Sequence, residues 1–235
     1  MRHFFRKLLK RQIVDSGDIK LFIDIYSRAN RDFHPRGGGN WHNIDRKTAN
    51  LGYGWIHYGL IRNLYPRRVL IIGSRYGFIP AICALACRDN QKGKVDFVDA
   101  GFNYKDEQKD RERAWGGVGF WRKKNVERHF GKFKLNDYIN FHLTTSKKFY
   151  QRHLNRRWDY IHLDGDHSYQ GVKLDWQRFW PQLRKGGLIA FHDIYIRELG
   201  GLKYGVRKLW RELKAEKRYN MMEFPGDCGL GIMQK

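Results

Sequence analysis

Two acids and two histidines carry most of the chemistry this chain could do. The run Asp164-Gly165-Asp166-His167-Ser168-Tyr169 follows one apolar segment, and His192-Asp193 ends another. If those segments are neighbouring strands, Asp164 and Asp193 emerge about 5 Å apart laterally. Carboxylates that close repel each other unless a cation or a shared proton lies between them. Histidine is the side chain that takes a proton near neutral pH. A lone histidine is more often structural. Two acids and two histidines meeting at one rim predict proton transfer or cation binding.

The segments that must position these groups read as alternating strands and helices. RRVLIIGS (67–74), KVDFVDA (94–100), YINFHLTT (138–145), WDYIHLD (158–164), GGLIAFHD (186–193) and the closing CGLGIMQK read as strands. FIPAICALAC (78–87) reads as a helix. Val172, Trp176, Phe179 and Leu183 share one helical face over 169–183, and Val206, Leu209, Trp210 and Leu213 another. Such alternation predicts βαβ units and a mostly parallel sheet. Ligands of such a sheet bind outside the carboxyl ends of its strands.

The other strand ends fit that rule. Gly73-Ser74-Arg75-Tyr76-Gly77 links the first strand to a helix. It allows a tight turn, and the helix N-terminus favours a negative group. The same turn could equally be an ordinary connection. Asp99 ends the second strand, 26 residues beyond Gly73, where a carboxylate can accept both hydroxyls of a ribose. Asp96 is a rival deeper in the strand. Thr144-Thr145-Ser146 ends the third, and its hydroxyls could touch a base edge or cap the next helix.

RRVLIIGSRYG, KVDFVDA and DYIHLDGDHSYQGVKLDWQRFWPQLRKGGLIAFHD, in this order, resemble class I S-adenosylmethionine-dependent methyltransferases. The subset most like this chain holds metal-dependent sugar O-methyltransferases of the macrolide-tailoring type. The resemblance spans roughly residues 50–235. It implies a Rossmann-like, doubly wound, mostly parallel seven-stranded α/β sheet with an antiparallel last strand. It implies S-adenosylmethionine across Gly73, Ser74, Arg75, Tyr76 and Gly77, with Asp99 on its ribose and Thr145 and Ser146 nearby. It implies Asp164 and His167 as catalytic residues, His167 being the general base. Asp164, His192 and Asp193 stand where relatives hold a divalent cation, Mg²⁺ or Mn²⁺.

Two departures stand out. Ile71 replaces the acid usually found two residues before the first glycine. His192 replaces the first acid of the metal-binding pair. Mg²⁺ prefers oxygen ligands, whereas imidazole suits Zn, Fe, Ni or Cu. No ion, or a softer one, is therefore the expectation at that place.

Residues 1–50 read as an N-terminal helical and loop extension, divided from a methyltransferase domain at 51–235 by the glycine-rich HPRGGGNWHNID. The acceptor expected is a small-molecule hydroxyl, on a sugar or on an anionic substrate. With 46 Lys and Arg against 24 Asp and Glu, the net charge is +22, which attracts anionic partners without choosing among them. Methylation of RNA, or nucleic-acid or membrane-surface binding without catalysis, is the alternative. Arg2 to Arg11, and Lys147 to Arg157, are the basic clusters that would serve it. Residues 1–13 could form a basic amphipathic helix, and Trp115 to Trp121, with three glycines between, could be a lid or a packed loop. The N-terminal stretch does not read as a secretory leader, and no transmembrane helix is expected. Cys83, Cys87 and Cys228 form no metal-ligand spacing, so a reducing cytoplasm is expected.

Overall fold

The computed structural model describes residues 20, 22, 41–45, 47–102, 117, 119–199, 202–226 and 228–235. Helix α1 (Tyr53–Leu64) precedes strand β1 (Arg68–Ile72), helix α2 (Phe78–Asn90) and strand β2 (Lys94–Asp99). Short helices α3 (Phe120–Lys123) and α4 (Val126–Gly131) lead to β3 (Ile139–Leu143) and α5 (Ser146–Arg152). Then come β4 (Trp158–Leu163), α6 (Tyr169–Phe179), β5 (Leu183–His192), α7 (Val206–Ala215), β6 (Asn220–Phe224) and β7 (Leu230–Gln234). Between β5 and α7, Glu198–Leu199 pairs antiparallel with Leu202–Lys203 as a small ribbon.

The strand order is β3-β2-β1-β4-β5-β7-β6 in one seven-stranded sheet. β1 to β5 are mutually parallel, and β7 runs antiparallel to both β5 and β6. This is the doubly wound, seven-stranded arrangement that the resemblance implies. Strand residues alternate between two cores. Val69 and Ile71 pack on one face with α1 and α2, and Leu70 and Ile72 on the other with α6 and α7. Burial on both faces explains why these strands read as apolar runs.

One sequence expectation is corrected. Leu183 does not continue the helical face of 169–183: α6 ends at Phe179, and Leu183 opens β5. Pro181 has no N–H to donate and its ring opposes further helix. Strand β6, which completes the seven that the resemblance implies, is not among the segments read as strands, because NMMEF is a half-exposed edge without β-branched residues. The proposed amphipathic helix of residues 1–13 lies outside the described residues.

Candidate active site

The register of β4 and β5 pairs Leu163 with Phe191, so Asp164 leaves the sheet beside His192. Along β5, Ala190 faces the core under α1, while Ile189 and Phe191 face the other. His192 follows Ala190 in that alternation, and Asp193 should turn away. It does not, because Asp193 has a positive φ of 63°. Such a backbone costs a non-glycine residue about 1–3 kcal/mol and concentrates at functional sites. Here it brings two consecutive side chains to one place.

The result is a closed ring of two acids and two histidines. His167 Nε2 lies 3.2 Å from Asp164 Oδ1 and 3.1 Å from Asp193 Oδ2. His192 Nδ1 lies 3.0 Å from Asp193 Oδ1 and 3.5 Å from Asp164 Oδ1. Carboxylates only accept, so His167 Nε2 carries a proton, and the lone pair of a neutral His167 belongs to Nδ1. His192 Nε2 donates to the Trp41 carbonyl at 2.9 Å. Burial disfavours charge on both members of the His192–Asp193 pair. Even so, the two carboxylates hold His192 above the usual histidine range, and His192 holds Asp193 below the usual carboxylate range.

Several groups around this ring were not found from the sequence. Tyr204 stacks on His167, with centroids 4.8 Å apart and planes 14° apart. Cys228 is buried, and its thiol donates to Asp193. It arrives there because β7 is antiparallel, which brings the start of that strand to the carboxyl edge of β5. Below the ring, burial pushes the His42, His57 and His162 imidazoles down, His57 to about 3. His57 bonds the Tyr160 hydroxyl at 2.6 Å, and His162 Nε2 lies 4.0 Å from Asp164. Only the packing of the 41–45 loop and α1 on β4 could have revealed this neutral floor. Trp41 and His42 belong to the stretch read as an N-terminal extension. They nevertheless pack on the site, and Tyr53 N donates to His42 O at 2.8 Å.

The turn after β1 leads toward the same edge. Gly73 has φ 76°, and a Cβ there would lie 2.1 Å from the Asp164 carbonyl oxygen. Gly77, also left-handed, precedes α2. Tyr76 is buried and Arg75 lies over its ring at 5.8 Å. Asp99 Oδ2 accepts from Ser74 N at 3.2 Å, and Oδ1 from Gly101 N at 2.7 Å. Burial raises the Asp99 carboxyl to about 6. Two single backbone bonds leave acceptor capacity for the hydroxyls of a ribose.

The remaining candidates separate. Asp96 faces away from the turn and pairs with His142 at 2.8 Å and Arg156 at 3.0 Å. Arg156 thereby leaves the solvated basic cluster to which its position assigned it. Thr145 caps α5, accepting from Lys148 N, and Ser146 Oγ donates to Asp175 at 2.6 Å. Ile71 is wholly buried in the core, so no polar contact comes from that place. Trp115, Gly116 and Val118 lie outside the described residues. Trp121 is buried, stacks on Phe130 and donates from Nε1 to Ser74 O at 2.9 Å. Its ring is a wall of the core behind the turn.

The implied Mg²⁺ does not fit the donors present. Mg²⁺ needs a near-ideal octahedron of oxygens, whereas an imidazole nitrogen and a thiol stand beside the two carboxylates.

Comparison with known proteins agrees with this architecture. A family profile described as a methyltransferase domain matches residues 70–194, and the chain belongs to that family. An uncharacterized protein, y4gI of Sinorhizobium fredii (strain NBRC 101917 / NGR234), is 28% identical over 195 residues. That match covers 82% of this chain but 20% of the relative, so the chain spans about a fifth of that protein's length. The O-methyltransferase NovP superposes with TM-score 0.66 at 12% identity, covering 94% of this chain and 98% of that one. An O-methyltransferase from Bacillus cereus in complex with SAH gives TM-score 0.61 at 15% identity, covering 95% and 93%. TomG from Streptomyces achromogenes, an O-methyltransferase of tomaymycin synthesis in complex with SAM, gives 0.58 at 11%, covering 98% and 93%. At these identities the structures establish the shared fold. Among the described residues no helix is long and apolar enough to cross a membrane.

Proposed function

We propose that this chain is an S-adenosylmethionine-dependent O-methyltransferase acting on a small-molecule or sugar hydroxyl. The observation that carries the reading is the pinning of His167 Nε2 between Asp164 and Asp193. It orients an imidazole whose other nitrogen can take a proton, as a carboxylate orients histidine in hydrolytic triads.

When bound, S-adenosylmethionine supplies an electrophilic sulfonium methyl group that is displaced in line by the acceptor oxygen. Gly73, Ser74, Arg75, Tyr76 and Gly77 form its proposed cradle, and Asp99 accepts its ribose hydroxyls. Thr145 and Ser146, already engaged with backbone and Asp175, line the neighbouring strand end. His167 takes the acceptor proton through Nδ1, worth roughly 10²–10⁴ in rate. Asp164 and Asp193 stabilise the imidazolium that results. Tyr204 limits tilting of the ring. Proximity of acceptor and methyl supplies the rest.

The O-methyltransferase names of NovP, TomG and the Bacillus cereus protein support oxygen as the acceptor atom. Isothermal titration with S-adenosylmethionine, followed by radiolabelled methyl transfer to a panel of sugars, phenols and RNA, tests the reading. Micromolar cofactor binding with label on hydroxyl compounds is expected. Label on RNA alone would transfer the assignment to nucleic-acid methylation, and absence of cofactor binding by folded protein would end it.

A further inference from the structure

A buried mixed nitrogen, sulfur and oxygen cluster occupies the carboxyl end of β5. His192, Asp193 and Cys228 are all buried, and one ligand atom from each (a ring nitrogen, a carboxylate oxygen and the thiol sulfur) lies within 4.8 Å of the others. Two atoms of this cluster are poorly served by the protein. His192 Nδ1 and Asp193 Oδ1 are shielded from solvent, and neither has an aligned hydrogen bond, although they stand 3.0 Å apart. Buried polar atoms are normally hydrogen-bonded, and two such atoms held close without an aligned bond leave coordination that a ligand between them could complete.

The surroundings match a metal ligand's. A metal-bound histidine usually gives its second ring N–H to a carbonyl or carboxylate, which fixes the ring and its tautomer. His192 Nε2 does this with the Trp41 carbonyl at 2.9 Å, leaving Nδ1 as the inward nitrogen. Asp164 Oδ1, which also accepts from His167 Nε2, lies 3.5 Å from Nδ1 and keeps a lone pair for a fourth bond. Ligands about 2.0–2.3 Å from Zn²⁺ in a tetrahedron stand about 3.3–3.8 Å apart. The widest separation in the cluster therefore needs to close by at most about 1.5 Å, while His192 Nδ1 and Asp193 Oδ1, 3.0 Å apart, need to open by a few tenths of an ångström. Thiolate and imidazole select borderline-soft ions over Mg²⁺.

We propose that His192, Asp193 and Cys228, with Asp164 beside them, form a site for one divalent transition ion of the Zn²⁺ class. The donors differ in kind from the oxygen set that relatives offer to Mg²⁺. The proposal depends on neither the methyl acceptor nor cofactor binding. Sulfur ligation also distinguishes it from a carboxylate site that would take any divalent ion.

The test is metal binding to the full chain, read without turnover. Protein stripped with a chelator is titrated with Zn²⁺ against a chromophoric competitor, and separately with Co²⁺ under anaerobic conditions. One ion per chain is expected, with a thiolate-to-cobalt charge-transfer band, and with Mg²⁺ in large excess failing to compete. Cys228→Ser should abolish the band, and Zn²⁺ should bind more than roughly 100-fold more weakly, since even outer-shell losses reach that size. Cys83→Ser, in helix α2, should keep both. If Cys228→Ser does not fold by circular dichroism, His192→Gln replaces it with the same expected loss of affinity. Failure of the wild type to take up Zn²⁺ or Co²⁺ would overturn the proposal. So would a band that survives Cys228→Ser, or displacement by Mg²⁺. S-adenosylmethionine titration of the same samples reads the proposed function separately.

Discussion

The imidazole of His192 is fixed by the carbonyl oxygen of Trp41, 2.9 Å away and 151 positions earlier in the chain. A loop before the first described helix thus sets the orientation of a ring at the end of β5. His167 is held differently, by two carboxylates and the Tyr204 ring. The two histidines share acids, yet one is anchored to backbone and the other to side chains.

That difference predicts separable effects at His167. Replacing it with Ala should lower kcat by roughly 10²–10⁴ and leave the S-adenosylmethionine Kd unchanged. Single-turnover kinetics alongside calorimetry check both halves. Undiminished turnover would remove His167 from proton transfer.

Cofactor affinity should depend on pH through Asp99. Burial raises its carboxyl to about 6 in the free protein, and ribose hydroxyls donate to the ionised form. Because the folded value lies above the unfolded one near 4, ionising Asp99 costs the free fold stability as pH rises from about 4 through 6. Binding runs the other way. The Kd should fall as pH rises through 6, by up to about tenfold per unit below that value, and level off above 7. Calorimetry between pH 5 and 8 measures it. Asp99→Asn should flatten the profile.

Trp121 should couple the core to the cofactor turn. Its ring stacks on Phe130, and its Nε1 holds the Ser74 carbonyl. Trp121→Ala should cost about 3–5 kcal/mol, a Tm fall of roughly 6 °C or more for a domain of this size. Trp121→Phe restores most of the apolar volume but not the hydrogen bond. It should weaken cofactor binding more than it lowers Tm. Thermal unfolding and calorimetry on the two variants separate packing from positioning.

Asp96 provides the contrast. It is buried on the side of β2 away from the turn and bonds His142 and Arg156. Burial alone would raise its carboxyl, but these partners hold it below the usual range. Its contribution is therefore present above pH about 4 and lost as pH falls through the depressed value. Asp96→Asn should cost about 1–3 kcal/mol in Tm measurements at neutral pH. Turnover below the melting range should stay within about twofold. A large kinetic defect would return Asp96 to the site.

The parallel core of the sheet was legible because strands buried on both faces must be apolar runs, and RVLII, KVDFVD and WDYIHL are such runs. The edge strand β6 was not, since an edge needs neither apolar continuity nor β-branched residues. In the same way the acids Asp164 and Asp193 and their histidines announced themselves by type and by their place after strands. Cys228, Tyr204, Trp41 and the buried His42, His57 and His162 did not.

The sequence by itself determined the alternation of strands and helices, the carboxyl edge as the functional side, and the residues that end each strand there. Those follow from local periodicity and from the fixed geometry of parallel sheets. Tertiary structure alone decided which side chains meet. The left-handed turn at Asp193 overrides strand alternation. The antiparallel course of β7 delivers Cys228 to the edge of β5, and the Trp41 loop closes over His192. These contacts join positions far apart in the chain, and no local pattern of residues encodes the distance between them.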